Sequence, residues 1–245
     1  MKEKIYTIPV NEAFDQNCEC PLCYLKTKLE AEAVEYALGA AMMEPDYRIV
    51  SNEKGYCNHH YTRLFEKPNK LSLALVMDTH LEEVRKKLDS MSEIFEFEKS
   101  TKKGLFGKIS GSYYEKINEK LTAITSSCVI CDKMKHTLSK FTEVIFYLWE
   151  KESEFRKKLL ASKGFCLPHF NELIAASFKY LNTKKACEFS GLIYELEKKE
   201  LERIQNDIHN FTLKFDYRNK DSKWGTEIDA PVRSVEKVSG EIHKS

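Results

Sequence analysis

Four short cysteine motifs read as two copies of one pattern, and they constrain this chain more than any other feature. The first copy is Cys20-x2-Cys23, followed after 33 residues by Cys57-x2-His60. The second is Cys128-x2-Cys131, followed after 34 residues by Cys166-x2-His169. Each copy supplies three thiols and one imidazole, a full tetrahedral shell for zinc. A fold that uses them must bring a Cys-x-x-Cys knuckle and a Cys-x-x-His half-site to one point.

The copies agree beyond the ligands. Cys20 and Cys128 are 108 residues apart, and Cys57 and Cys166 are 109 apart. Each Cys-x-x-His follows a glycine and an aromatic residue, Gly55-Tyr56 and Gly164-Phe165. Each then continues with an aromatic residue and a leucine in the same register, Tyr61 and Leu64 against Phe170 and Leu173. The agreement points to a tandem duplication, with Cys20, Cys23, Cys57 and His60 as one site and Cys128, Cys131, Cys166 and His169 as the other.

The remaining sequence favours helices. Only 9 glycines and 6 prolines occur in 245 residues, too few turn-formers for a many-stranded β fold. Leu25, Leu29, Ala33, Tyr36, Ala37 and Ala40 recur at helical spacing, and Pro45 ends that run. The segment 46–50 reads as a short extended piece. A helix is expected from about Leu71 to Glu98, with Leu75, His80 or Leu81, Val84, Leu88, Met91 and Phe95 along its apolar stripe. In the second copy a helix runs from Asp132 to about Leu160, with Leu138, Phe141, Ile145, Leu148 and Trp149 apolar. Another covers Leu167 to about Leu181. The last long helix runs from Thr183, its expected N-cap, to Phe215. The tail reads either as ending in a short helix over 231–238 that packs back on the core or as a frayed terminus.

Composition excludes several functions. A net charge of +1 gives no global attraction to nucleic acid or membrane. No run of 18 apolar residues is present, and the N-terminus lacks the apolar stretch of a secretory leader. Eight cysteines in such a chain point to metal rather than disulfides, and a cytoplasmic location is expected. No Ser-His-Asp arrangement, phosphate-cradling glycine loop or His-Glu-x-x-His occurs.

Zinc suits these ligands because it is borderline-soft and takes thiolate and imidazole together. Residues three apart at the start of a helix share a face, and the helix dipole there favours thiolate. Iron–sulfur clusters accept the same donors and are the alternative cofactor. The repeat selects Cys20 over Cys18 and His60 over His59, which is left as a solvent-facing neighbour. Cys187 reads as a small core residue. His80, His136 and His209 read as surface or satisfied core histidines. The acidic run from Glu195 to Glu202 reads as a solvated helix face.

The motifs Cys-Pro-Leu-Cys with Gly-Tyr-Cys-x-x-His, repeated as Cys-Val-Ile-Cys with Gly-Phe-Cys-x-x-His, resemble an uncharacterised bacterial family of helical cysteine-rich proteins. The segment 211–218, Phe-Thr-Leu-Lys-Phe-Asp-Tyr-Arg, is similar to that family's C-terminal signature. The resemblance spans residues 12 to 240. Members are sometimes labelled transporter substrate-binding proteins. It implies a bacterial cytosolic setting and no established activity.

The expectation is therefore an all-α protein of two pseudo-repeated helical units, each with a Cys3His zinc knuckle joining helix ends. Unit boundaries are expected at 12–99 and 112–216, with a basic linker over 100–111 and a tail over 217–245. Two zinc ions are expected, in closed shells that leave no open position for catalysis. The function expected is a non-enzymatic scaffold or adaptor for a protein partner. The alternatives are a redox or metal-responsive sensor, an iron–sulfur electron carrier or enzyme, and a nucleic-acid binder using Lys99, Lys102, Lys103 and Lys108 of the linker. Neither a nucleic-acid nor a membrane partner is the leading expectation.

Overall fold

The computed structural model of the chain describes residues 4–92, 94–95, 111–219 and 223–240. Residues 100–110 of the expected linker, Lys99 before it, and residues 241–245 of the tail lie outside these. Among the described residues the fold is all α, with no strand.

Among the described residues eleven α-helices follow in chain order. They are α1 (Lys4–Phe14), α2 (Pro21–Leu38), α3 (Pro45–Lys54), α4 (Asn58–Glu66), α5 (Lys70–Asp89) and α6 (Gly111–Thr125). There follow α7 (Val129–Lys151), α8 (Ser153–Ala161), α9 (Leu167–Tyr180), α10 (Thr183–Leu213) and α11 (Ala230–Ser239). Short 3-10 turns lie at Ala40–Met43, Tyr217–Asn219 and Thr226–Asp229.

The chain divides into two compact units. Unit 1 joins both ends of the chain, Met1–Lys28 with His136–Ser245. Unit 2 is the continuous stretch Leu29–Lys135. Both divisions fall within helices, α2 and α7.

Unit 1 is built on α10, whose buried face carries Phe189, Ile193, Leu196, Glu200 and Ile204 at spacings of three and four. Helices α9 and α11 pack on α10, and α1 packs on α8. Aromatic rings meet edge-on in its core: Phe14 with Phe155 at 4.9 Å, Phe146 with Phe189 at 5.0 Å, and Trp149 with Phe189 at 5.3 Å. In unit 2, α5 packs against α3 and α4. Its buried residues include Val34, Ala37, Tyr56, Leu64 and Val76.

Several local expectations are corrected. Residues 46–50 are helical, because Pro45 stands at the first turn of α3, where its missing N–H costs nothing. The N-cap of α10 is Asn182, whose side chain accepts from the Lys185 N–H at 3.0 Å, and Thr183 is already helical. The expected helix over 132–160 is two, α7 and α8, with Glu152 extended between them. On α5 the buried face is Ser72, Val76 and His80, while Leu75, Leu81 and Leu88 are exposed. Burial there follows the face turned to α3, not the densest run of leucines. Cys187 is exposed, one position from the buried Ala186 on α10.

Candidate metal centres

Each of the four motifs opens a helix. Cys20 and Cys128 directly precede α2 and α7, and Cys23 and Cys131 lie in the first turn. Cys57 and Cys166 are the extended N-caps of α4 and α9, and His60 and His169 follow within the first turn. All eight donors thus sit where helix dipoles favour negative charge. In each knuckle the second cysteine's backbone N–H points to the first thiol, Cys23 to Cys20 at 3.4 Å and Cys131 to Cys128 at 3.5 Å.

The turn before each Cys-x-x-His demands glycine. Gly55 has φ 63° and Gly164 has φ 74°, in the region that side chains avoid. Space forbids a side chain as well. A Cβ at Gly55 would fall 2.4 Å from His80 Nε2, and one at Gly164 would fall 2.6 Å from Glu197 Oε2. The next residue, Tyr56 or Phe165, is buried and anchors the loop. So does the leucine four residues beyond the histidine, Leu64 or Leu173, each fully buried.

These half-sites do not combine as the tandem reading expects. Cys20 and Cys23 meet Cys166 and His169, and Cys57 and His60 meet Cys128 and Cys131. The pairing is nested: the outermost motifs form one site, in unit 1, and the inner two form the other, in unit 2. The physical reason lies in the helices that the knuckles start. An α-helix rises ~1.5 Å per residue, so the 18 residues of α2 and the 23 of α7 each carry the chain tens of ångströms from the knuckle. The Cys-x-x-His next in sequence belongs to a different place.

The two sites share one geometry. In unit 1, His169 Nδ1 lies 3.1 Å from Cys166 Sγ and 3.4 Å from both Cys20 Sγ and Cys23 Sγ. Cys23 Sγ and Cys166 Sγ are 3.6 Å apart. In unit 2, His60 Nδ1 lies 3.2 Å from Cys57 Sγ, 3.3 Å from Cys128 Sγ and 3.4 Å from Cys131 Sγ. Cys57 Sγ and Cys131 Sγ are 3.7 Å apart. A tetrahedron with metal–sulfur bonds of ~2.3 Å and a metal–nitrogen bond of ~2.1 Å has edges of about 3.6–3.8 Å. The Cys23–Cys166 and Cys57–Cys131 edges match, the nitrogen–sulfur edges are slightly shorter, and all four donors of each cluster lie within 4.8 Å of one another, so both clusters could hold a metal ion. Cys18 is not in either cluster, and His59 offers its ring to Glu30 instead.

Crowding shows in the proton affinities. Burial, then the neighbouring Cys128 and Cys57, pushes the Cys131 thiol up to about 12. At His169 burial opposes the charged form, but the Cys166 and Cys23 contacts outweigh it and hold the ring up at about 10. Burial carries His60 the other way, below its usual value. A cation bound among the sulfurs replaces the protons that these clusters otherwise retain.

The surroundings of the two sites differ. In unit 2 the loop at Gly55 is stitched to the knuckle: the Val129 N–H donates to Gly55 O at 3.1 Å and Ser127 Oγ donates to Lys54 O at 2.6 Å. His80 Nδ1 lies 2.7 Å from Asn52 O in the last turn of α3, just before that loop. Buried Glu30 places Oε1 3.2 Å from His60 Nε2 and 2.6 Å from His59 Nε2. The His60 contact sets a carboxylate behind a candidate ligand histidine. These three residues also form a donor group, but Arg63 stands 4.0 Å from Glu30 and supplies the cation there.

In unit 1 the loop is held from α10 and α11. Glu197 Oε2 accepts from the Phe165 N–H at 2.9 Å, and fully buried Lys237 donates to Lys163 O at 2.8 Å. The two side chains pair at 2.7 Å. Gly240, at the end of α11, packs over the site; a Cβ there would lie 3.8 Å from Cys166 Sγ and 4.0 Å from Cys23 Sγ. Buried Glu19, beside Cys20, pairs with Arg203, Lys163 and Arg233, and Arg233 also holds Asp207 at 2.8 Å.

Sequence reasoning missed Glu30, Glu197, Glu200 and Lys237 as buried groups. Glu197 and Glu200 belong to the acidic run expected to be solvated. Their registers carried a signal: Glu197 follows Ile193 by four on the buried face of α10. Glu30 likewise precedes Val34 by four on α2.

The family model described as a family of unknown function, DUF6062, matches residues 1–245, and the chain belongs to that family. No curated protein and no solved structure matches it.

Proposed function

We propose that this member of DUF6062 is a non-enzymatic helical scaffold held by two structural zinc ions, one in each unit. The observation that carries the reading is the closed donor set: three thiols and one imidazole nitrogen at each site, all within 4.8 Å of one another. Four protein ligands leave a tetrahedral ion no position for water or substrate, which disfavours zinc hydrolysis. Each ion staples two helix N-termini that are distant in sequence, so its binding energy is folding energy. Zinc fits thiolate and imidazole better than a hard cation does.

The task of such a scaffold is to present a surface to a protein partner. The exposed leucines of α5, Leu71, Leu75, Leu81 and Leu88, support this reading. No helix of the described residues is long and apolar enough to cross a membrane. Elemental analysis of anaerobically purified protein tests the metal: two zinc per chain and no colour are expected. Iron with acid-labile sulfide and visible absorption would overturn zinc in favour of clusters. Capture from native lysate, compared between wild type and an α5 variant with Leu75 and Leu81 replaced by Glu, tests the partner. Identical captures would remove α5 as the docking face.

A further inference from the structure

We infer that the unit 2 site is a thiol-reactive, metal-releasing site, in which Cys131 and Cys57 form a disulfide under peroxide while the unit 1 site keeps its metal. The inference rests on the zinc reading and assigns the two sites different chemical roles.

The donor sets are equivalent, but their cover is not. Cys131 is the only exposed thiol among the eight donors. Its counterpart in the other knuckle is Cys23, which is partly buried and lies beneath Gly240. Cys166, the partner of Cys23, is fully buried. Its loop is clamped by the buried Lys237–Glu197 pair. Among the site thiols, an oxidant from solvent therefore meets Cys131 first. Thiolate character and access together decide which cysteine oxidises, and metal coordination supplies thiolate at both sites. Access is what separates them.

A second thiol stands ready. Cys57 Sγ is 3.7 Å from Cys131 Sγ, and the two cysteines lie on different helices, α4 and α7, at the start of each. A shift of under ~2 Å brings the sulfurs to the bonding distance of about 2.05 Å. The chemistry balances with hydrogen peroxide as oxidant. The Cys131 thiolate attacks one peroxide oxygen, the O–O bond breaks, and sulfenic acid and hydroxide form. The Cys57 thiolate then attacks the sulfenic sulfur, the S–S bond forms and a second hydroxide leaves. Two electrons pass from the sulfur pair to peroxide, and two protons from solvent complete two waters. The cation retains only Cys128 and His60, too few donors to hold it, and departs. A dithiol reductant restores both thiols.

The test uses the full-length zinc-loaded protein. Peroxide is added stepwise while released zinc is followed with a chromogenic chelator, and disulfides are mapped by mass spectrometry with differential alkylation. The expected result is release of one zinc per chain in a first phase, a Cys57–Cys131 disulfide, and recovery on dithiothreitol and zinc. Release of both ions in one phase, first oxidation at Cys23 or Cys166, or a product with no Cys57–Cys131 bond would overturn the inference. A protein purified without metal would defeat the zinc reading itself, and is distinguishable before any peroxide is added. Cys187→Ser supplies a second arm, since it removes the exposed thiol that lies outside both clusters. First-phase release and the Cys57–Cys131 disulfide should persist at the wild-type rate; their loss would also overturn the inference.

Discussion

Paired ligand replacements distinguish nested from tandem sites with a simple count. In the nested arrangement Cys23 and Cys166, 143 positions apart along the chain, would serve one ion, and Cys57 and Cys131, 74 apart, would serve the other. The tandem pairing would join Cys23 to Cys57 and Cys131 to Cys166, separations of 34 and 35 (57 − 23 and 166 − 131). Treated as cross-links, loops of the nested lengths restrict the unfolded chain by about 5.0 and 4.5 kcal/mol, against about 3.8 kcal/mol for either tandem loop. Binding of each structural ion is worth on the order of 10 kcal/mol, comparable with the whole stability of a domain. Loss of one ligand should therefore unfold its unit, and loss of a second ligand from the same site should cost almost nothing more. Cys23→Ala/Cys166→Ala is expected to retain one zinc per chain and the thermal transition of unit 2. Cys23→Ala/Cys57→Ala is expected to retain none. Elemental analysis and calorimetry of the three single and two double variants read both outcomes. One zinc in the Cys23/Cys57 variant, with none in the Cys23/Cys166 variant, would refute the nested pairing and the reasoning built on it.

Three further outcomes follow from particular contacts. Lys237→Met strands the buried Glu197 carboxylate and should destabilise unit 1 by about 3–5 kcal/mol, with much of the loss recovered in Lys237→Met/Glu197→Gln; thermal denaturation of both checks this. Gly164→Ala should disrupt the unit 1 site, because a side chain there meets Glu197 at 2.6 Å and strains a positive φ. Gly191→Ala, on an exposed turn of α10 with nothing within 4 Å, should instead stabilise by up to about 1 kcal/mol; urea melts compare the two. Glu227 is held down at about 2, chiefly by the Lys214 ammonium 2.9 Å away. Its folded value lies below its usual 4.5, so the stability it contributes is present above that value and is lost as the pH falls through about 2. Carbon-detected NMR titration should show that midpoint, and Lys214→Met should return it toward 4.5.

The sequence alone was enough to recognise the four half-sites, since each is a local device. A knuckle needs two thiols on one turn, and a Cys-x-x-His needs a glycine before it and a helix after it; all of that lies within a few residues. The helical class was legible for the same reason, from spacing and from the scarcity of glycine and proline. Local logic fails where packing chooses among faces, as on α5, where Val76 and His80 are buried and three leucines are not. At Glu30 and Glu197 helical register places the residue on a buried face but does not reveal the partner that satisfies it, and at Lys237 the partner Glu197 comes from a distant helix. Local logic fails above all at the pairing. Equal spacing of the copies suggested neighbours in sequence, yet the long helices that begin at Cys20 and Cys128 carry the chain away from each knuckle, and the tertiary structure joins the outermost motifs to each other and the inner ones to each other. A motif specifies which atoms can bind, whereas the path of rigid helices between motifs decides which of them meet.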